Sequence, residues 1–374
     1  MADSKGQLGY TSSGITKWPN PVHALPDELL SSLLIRAGFQ NHIEPMPLAA
    51  SIWGKWRAWV FDIDRALPKV PIQQLSYSTG MPVQQLKHLT LKPYIRYISS
   101  VKLNAKQRWF WVTSLAHRNA VRRSSIMFCP QCLLEDAIPY LRMQWRCSWI
   151  TTCHEHHCVL LDRCPHCEYP IHPHRYSFNI SSFNRCASCG DRLDELKAPT
   201  KTHTEIAQQQ QHGFHLMRTF DDSADTWFAE LKFLLGFVRK SYSSQLKCAQ
   251  SLCNAFELAP RPQQGLSPFG SVNFPDLTLN DRHILLELAF RLKALSTTDL
   301  TSLLLSHGVT CSLFKSDSQH TPERFDAISQ HLKRMDRSRK ARSTTDAQWP
   351  PPKPDDQVQR KLDVLHREIR ARGR

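Results

Sequence analysis

The sequence contains no run of eighteen apolar residues, and its opening MADSKGQLGY lacks the hydrophobic core of a secretory leader. Neither a membrane span nor export is expected, and the chain reads as soluble and cytoplasmic. Glycine and proline are modest, 13 and 24 of 374 residues, which excludes a collagen-like chain and wholesale disorder. The GYTSSGIT segment lacks the Lys of a phosphate loop, and no strand precedes it. Carboxylates are also few: Asp+Glu number 33 against 48 Lys+Arg, a net charge of +15 that favours polyanionic partners. From Lys92 to Arg123 there is none, and Asp62 and Asp64 are the only close pair beside that stretch. Nuclease chemistry needs clustered carboxylates to hold Mg2+, so an enzyme is not expected.

Cysteine is the residue present in quantity. Nine of the twelve fall between Cys129 and Cys189, mostly in Cys-x-x-Cys or Cys-x-x-His pairs. Without an export signal such pairs point to metal ligation and not to disulfides. The order is Cys129-x2-Cys132-x20-Cys153-x2-His156, then seven residues, then Cys164-x2-Cys167-x18-Cys186-x2-Cys189. Zinc takes four tetrahedral S or N donors, so four pairs make two ions with every position filled by protein, a structural and not a hydrolytic arrangement. Two sequential knuckles are expected. The alternative is the cross-braced order of RING-type ubiquitin ligases, but HCVLLDR between the second and third pairs is long enough for a hairpin strand. Cys147 and Cys158 fit neither quartet and read as small buried thiols.

Helical periodicity dominates elsewhere. PDELLSSLLIRAG places Leu29, Leu30, Leu33, Leu34 and Ala37 on one face of an amphipathic helix, begun at Pro26 or Asp27 and stopped at Gly38. Trp53, Trp56 and Trp59 recur at a spacing that suits one helix face, with core packing as the reading. VPIQQLSYSTGMPVQQLKHLTL gives two short helices broken at Thr79-Gly80, and Leu75, Gly80, Leu86 and Leu89 supply a helix-turn-helix. Its second helix presents Gln84, Gln85, Lys87 and His88 to a nucleic-acid groove. The cations that follow include Lys92, Arg96, Lys102, Lys106, Arg108, Arg118, Arg122 and Arg123. They are interleaved with Tyr94, Tyr97, Trp109, Phe110 and Trp111, a phosphate-binding pattern with aromatics available for stacking. TWFAELKFLLGFVRK and DRHILLELAFRLKAL are helical, and a second, weaker helix-turn-helix pattern surrounds Gly308.

The fold expected is mostly α: an N-terminal helix-turn-helix domain, two structural zinc-binding knuckles and a C-terminal helical domain. Its parts are a flexible arm over 1–20, a helical domain over 21–124, a double zinc region over 125–195, a polar linker over 196–224 and a helical domain over 225–345. A Pro-rich break and a basic helix occupy 346–374.

Pro26 to Gly38, then TGMPVQQLKHLTL, then CPQCLLEDAIPYLRMQWRCSWITTCHEHHCVLLDRCPHC together resemble the TniQ family of transposition proteins, from about Pro21 to about His174. The resemblance implies a non-catalytic target-selection adaptor. Such a protein links a DNA-targeting element to an AAA+ regulator and a transposase. Relatives in CRISPR-associated transposons form homodimers on an RNA-guided Cascade complex, whereas TnsD-like relatives read an attachment site directly. Beside the adaptor stands the alternative of a self-sufficient, sequence-specific, zinc-containing DNA-binding protein. The nucleic-acid or nucleoprotein contacts expected are Gln84, Gln85, Lys87, His88, Lys92, Arg96, Arg118, Arg122 and Arg123.

Overall fold

The computed structural model describes residues 17–56, 58–99, 103, 107–114, 126–177, 179–194, 204–244, 246–258, 272–315 and 321–332. The expected arm up to residue 16, the cations Lys102, Lys106, Arg118, Arg122 and Arg123, and the basic and Pro-rich segments beyond residue 332 lie outside them.

Five helices open the described chain: α1 (Leu30–Asn41), α2 (Pro45–Trp53), α3 (Lys69–Thr79), α4 (Val83–His88) and α5 (Lys92–Tyr97). Helix α1 starts at Leu30, not at Pro26 or Asp27, and runs three residues past Gly38 before His42 ends it in the left-handed region. Nor is it amphipathic in place, for every residue from Leu30 to Gly38 is buried. Leu30, Leu33, Leu34 and Ala37 enter a core with α2 to α4, while Leu29 and Ile35 enter a larger core with the cysteine-rich region. The polar residues are consumed in between. Ser31 donates through N and Oγ to Asp64 at 2.7 and 2.8 Å, and Ser32 donates to the buried Glu28, which also receives Arg36 at 2.7 Å. Gly38 is required by proximity: a Cβ there would sit 2.7 Å from the carbonyl oxygen of Ile43.

The three tryptophans do not share a helix, because α2 ends at Trp53 and Gly54 follows at φ +58°. Packing still explains them. The Trp53 indole donates to the Pro71 carbonyl at 2.9 Å, Trp59 donates to Pro45 at 3.2 Å, and Trp56 stacks on Phe61. Between α3 and α4, Gly80 adopts φ +72°, a conformation glycine accepts without strain. Leu75 and Leu86 are fully buried beside the turn.

The cysteine-rich region contributes α6 (Pro130–Glu135) and a hairpin of β1 (Thr152–Cys153) and β2 (Cys158–Val159). The strands pair antiparallel with Thr152 opposite Val159 and Cys153 opposite Cys158, so HCVLLDR does supply a hairpin strand. After it come α7 (Thr204–Thr219), α8 (Ala224–Ser244), α9 (Leu246–Ala255), α10 (Leu279–Ala294), α11 (Thr297–Ser306), α12 (Cys311–Phe314) and α13 (Glu323–His331). Around Gly308, α11 is followed only by the single turn of α12, whose Leu313 and Phe314 are buried; the weaker pattern there is helix packing.

Helix α7 occupies the stretch that polar composition assigns to a linker. It is packed structure: Ile206, Gln210, Phe214 and Met217 are buried. Gln210 Oε1 accepts from the backbone N–H of Thr151 (2.9 Å) and Thr152 (3.0 Å) and from Thr152 Oγ1 (2.8 Å), and its Nε2 donates to Thr151 Oγ1. A glutamine that satisfies backbone donors inside the core has a structural place that composition does not reveal. Gly213 lets α8 approach, since a Cβ there would lie 2.5 Å from the Trp227 ring.

The basic stretch is only partly a surface. Tyr94, Trp109 and Trp111 are buried, and Phe110 stacks on Phe274 at 5.3 Å. These aromatics belong to the core and are not offered to bases.

Candidate metal centres and nucleic-acid face

Two donor quartets come together in the order of the sequence: Cys129, Cys132, Cys153 and His156, then Cys164, Cys167, Cys186 and Cys189. Within each, one donor atom per residue lies within 4.8 Å of all the others. The pairing is sequential and not cross-braced. Among the described residues, no other cluster of this kind is found.

The spacing of the donors tests what they fit. His156 Nδ1 is 3.4 Å from each of the three sulfurs of its quartet, and Cys132 and Cys153 Sγ are 3.6 Å apart. In the second quartet Cys164–Cys189 and Cys167–Cys186 are each 3.7 Å apart. A tetrahedron with Zn–S near 2.3 Å has sulfur–sulfur edges of about 3.8 Å and sulfur–nitrogen edges of about 3.6 Å. Both quartets therefore fit a zinc ion, with all four donors supplied by the protein.

Local geometry produces the knuckles. Cys129 sits at the N-cap of α6, and Pro130 at the first helical position turns the chain so that Cys132 faces back towards it. The residue after the last donor of each other pair adopts positive φ: His157 (+48°), Glu168 (+56°) and Gly190 (+79°). That reversal lets the Glu168 N–H reach the Cys164 carbonyl and the Gly190 N–H reach Cys186. Short bridges clamp the ends, Arg163 to Pro170 and Arg185 to Arg192.

Around the first quartet, Glu135 was not singled out in the sequence, and Cys158 is buried as expected but has a contact that the sequence does not show. Glu135 Oε2 lies 2.9 Å from His156 Nε2, so the imidazole is held with Nδ1 turned to the sulfurs. Cys158 Sγ lies 3.7 Å from Cys129 Sγ, close enough for its thiol to donate to a metal-bound thiolate. The hairpin register carries Cys158 there. The two centres also differ in access: Cys129, Cys132 and Cys153 are buried, whereas Cys167 and Cys189 are exposed.

The other expected contacts lie on α4 and α5. Gln84, Gln85, Lys87, Lys92 and Arg96 are exposed, and His88 is half-buried. The acidic pair near the basic stretch is not free. Arg146, wholly buried, reaches Asp62 Oδ2 at 2.6 Å and Oδ1 at 3.1 Å, Asp64 Oδ2 at 3.2 Å and the Thr113 carbonyl at 2.9 Å. Its Nε points to Thr113 Oγ1 at 3.4 Å, so all five guanidinium N–H groups have a partner. Burial pushes the Asp64 carboxyl above its ordinary value, against the pull of Arg146. Among the described residues no helix is long and apolar enough to cross a membrane.

Residues 19–160 match the TniQ family model, from the segment before α1 through the hairpin that carries Cys153 and Cys158. No curated protein matches the chain.

Proposed function

We propose, from the premise of a TniQ domain over residues 19–160, that this protein is a non-catalytic target-site selection adaptor of a DNA transposition system. It links a DNA-targeting complex, guided by RNA in CRISPR-associated systems, to an AAA+ regulator and a transposase. Two zinc ions, one in each quartet, cross-link the fold. They activate no water, because each donor set is closed. The observation that most supports this reading is the polar and cationic set Gln84, Gln85, Lys87, Lys92 and Arg96, exposed on α4 and α5 inside the TniQ match. Arg118, Arg122 and Arg123, outside the described residues, extend the same charge along the sequence.

Bidentate Arg to guanine is the commonest base contact, and α4 carries no Arg. Lysines instead favour phosphate contacts, which position without specifying. The isolated protein should therefore bind duplex DNA with a Kd of about 10⁻⁴ to 10⁻⁶ M at physiological salt and with a steep salt slope. A competition titration between one candidate site and random duplex at fixed salt tests this. Near-equal affinities, with targeted integration restored only when the partner proteins are added, support the adaptor. Discrimination of about a thousandfold by the protein alone would replace it with the direct attachment-site reader.

A further inference from the structure

His88 ends α4 with both ring nitrogens engaged. Nε2 lies 3.2 Å from the Gln84 amide nitrogen, and Nδ1 lies 2.8 Å from Tyr94 Oη. Tyr94 Oη also stands 3.4 Å from the His88 carbonyl. One proton arrangement satisfies all three contacts: the Gln84 amide donates to Nε2, Nδ1–H donates to Tyr94, and the Tyr94 hydroxyl donates to the His88 carbonyl. The imidazole then has neither an N–H nor a lone pair left for a base edge.

Tyr94 carries the chain of contacts onward to the end of α7. The Arg218 guanidinium stands 4.4 Å over its ring and is itself anchored on Asp27 at 2.6 Å. Phe220 stacks on Tyr94 with centroids 5.4 Å apart, and its carbonyl accepts from the Tyr97 hydroxyl at 2.7 Å. Phe220 directly follows α7 at φ +56°, and the Asp221 N–H donates to the Leu216 carbonyl at 3.1 Å. That bond closes a Schellman-type helix end, where glycine is the usual occupant and a bulky side chain is strained. The strain is offset by the contacts the ring makes with Tyr94 and Tyr97.

We propose that His88, Tyr94 and Phe220 are positioning residues that hang α4 and α5 from the end of α7. Nucleic-acid contact then falls to Gln85, Lys87, Lys92 and Arg96, and the C-terminal half of the chain sets how that face is presented. This rests on the nucleic-acid reading above and adds a role for residues that touch no ligand.

The test uses full-length, zinc-loaded protein, a fluorescent duplex of about thirty base pairs titrated at several salt concentrations, and amide exchange over residues 83–97 without DNA. Tyr94→Phe deletes one oxygen that cannot reach DNA. It should weaken binding about three- to tenfold, the equivalent of one hydrogen bond. His88→Ala should lose the same factor, and the double variant should lose no more, as for two members of one unit. The salt slope should stay at the wild-type value because no phosphate contact has gone, while Lys92→Ala with Arg96→Ala should lower it by about two. Phe220→Gly relaxes the backbone, so its melting temperature should hold or rise while binding weakens and exchange over α4 quickens. If the Lys92 and Arg96 changes cost binding but Tyr94→Phe and Phe220→Gly bind as wild type, the anchorage on α7 does not set the binding face and the proposal is overturned. If the Lys92 and Arg96 changes cost nothing, the nucleic-acid reading fails. Exchange then decides alone: faster exchange over α4 in Tyr94→Phe keeps the positioning role, and unchanged exchange ends it.

Discussion

Replacing Arg146 by Met is the sharpest perturbation the structure offers. The guanidinium joins the loop carrying Asp62 and Asp64 to Thr113, and Asp64 in turn holds the start of α1 through Ser31. Methionine keeps much of the volume but strands the Asp64 carboxylate in the core. Removing one partner of a buried ion pair costs about 3–5 kcal/mol, since the remaining charge is left uncompensated. Urea titration followed by tryptophan fluorescence measures the loss, and wild type compared with variant at each pH gives its proton linkage. Arg146 lowers the Asp64 pKa while burial raises it, so without Arg146 the upward shift grows. A carboxyl whose folded pKa is raised keeps a proton that the unfolded chain releases, so stability falls as pH rises above the unfolded value. The deficit of Arg146→Met should therefore be largest near pH 8 and shrink towards pH 5.5, and adding Asp64→Asn should recover part of it at pH 8. A deficit under about 1 kcal/mol, the range of an exposed pair, or one that does not change with pH, would refute the reasoning.

Elemental analysis of protein purified without added metal should give about two zinc ions per chain, and Cys164→Ser or Cys129→Ser should remove one and destabilise the region. A chelator should empty the second centre first, because Cys167 and Cys189 are exposed; simultaneous loss would show that access does not govern release. Glu135→Gln should weaken zinc at the first centre about 10- to 100-fold in a chelator competition while leaving the second unchanged. Gly213→Ala should cost about 1–3 kcal/mol by forcing the Trp227 ring away, and an unchanged melting curve would show that α7 and α8 part freely.

The grouping of the eight Cys and His residues into two quartets was legible because a two-residue gap is a local constraint that brings both members of a pair to one side of a tight turn. Glu135 and Cys158 were not, since their contacts depend on how α6 and the β1–β2 hairpin meet. The first helix was legible as a helix but not in its surroundings. Ser31, Ser32 and Arg36 mark a solvent face by composition, yet their partners Asp64, Glu28 and the His23 carbonyl come to them and allow burial on every side. The tryptophan spacing suggested one helix because periodicity cannot see that Gly54 ends it. Gln210 failed as a cue for the opposite reason: a polar residue signals solvent only where no buried backbone donor needs it.

Helix α7 bears on how such proteins can be taken apart and recombined. Ten residues at 1.5 Å each, about 15 Å, separate Gln210, which accepts from the Thr151 and Thr152 amides, from Phe220, which stacks on Tyr94 just past the helix end. A fragment ending at residue 160, where the family match stops, leaves the Thr151 and Thr152 amides unsatisfied and strips Tyr94 of its stacking partner. The unit of sequence similarity is thus smaller than the unit of cooperative folding. A chimera joined at that boundary inherits an incomplete core, and so does one joined directly after α9, because Phe274 stacks on Phe110 and Arg282 of α10 donates to the Ser148 carbonyl.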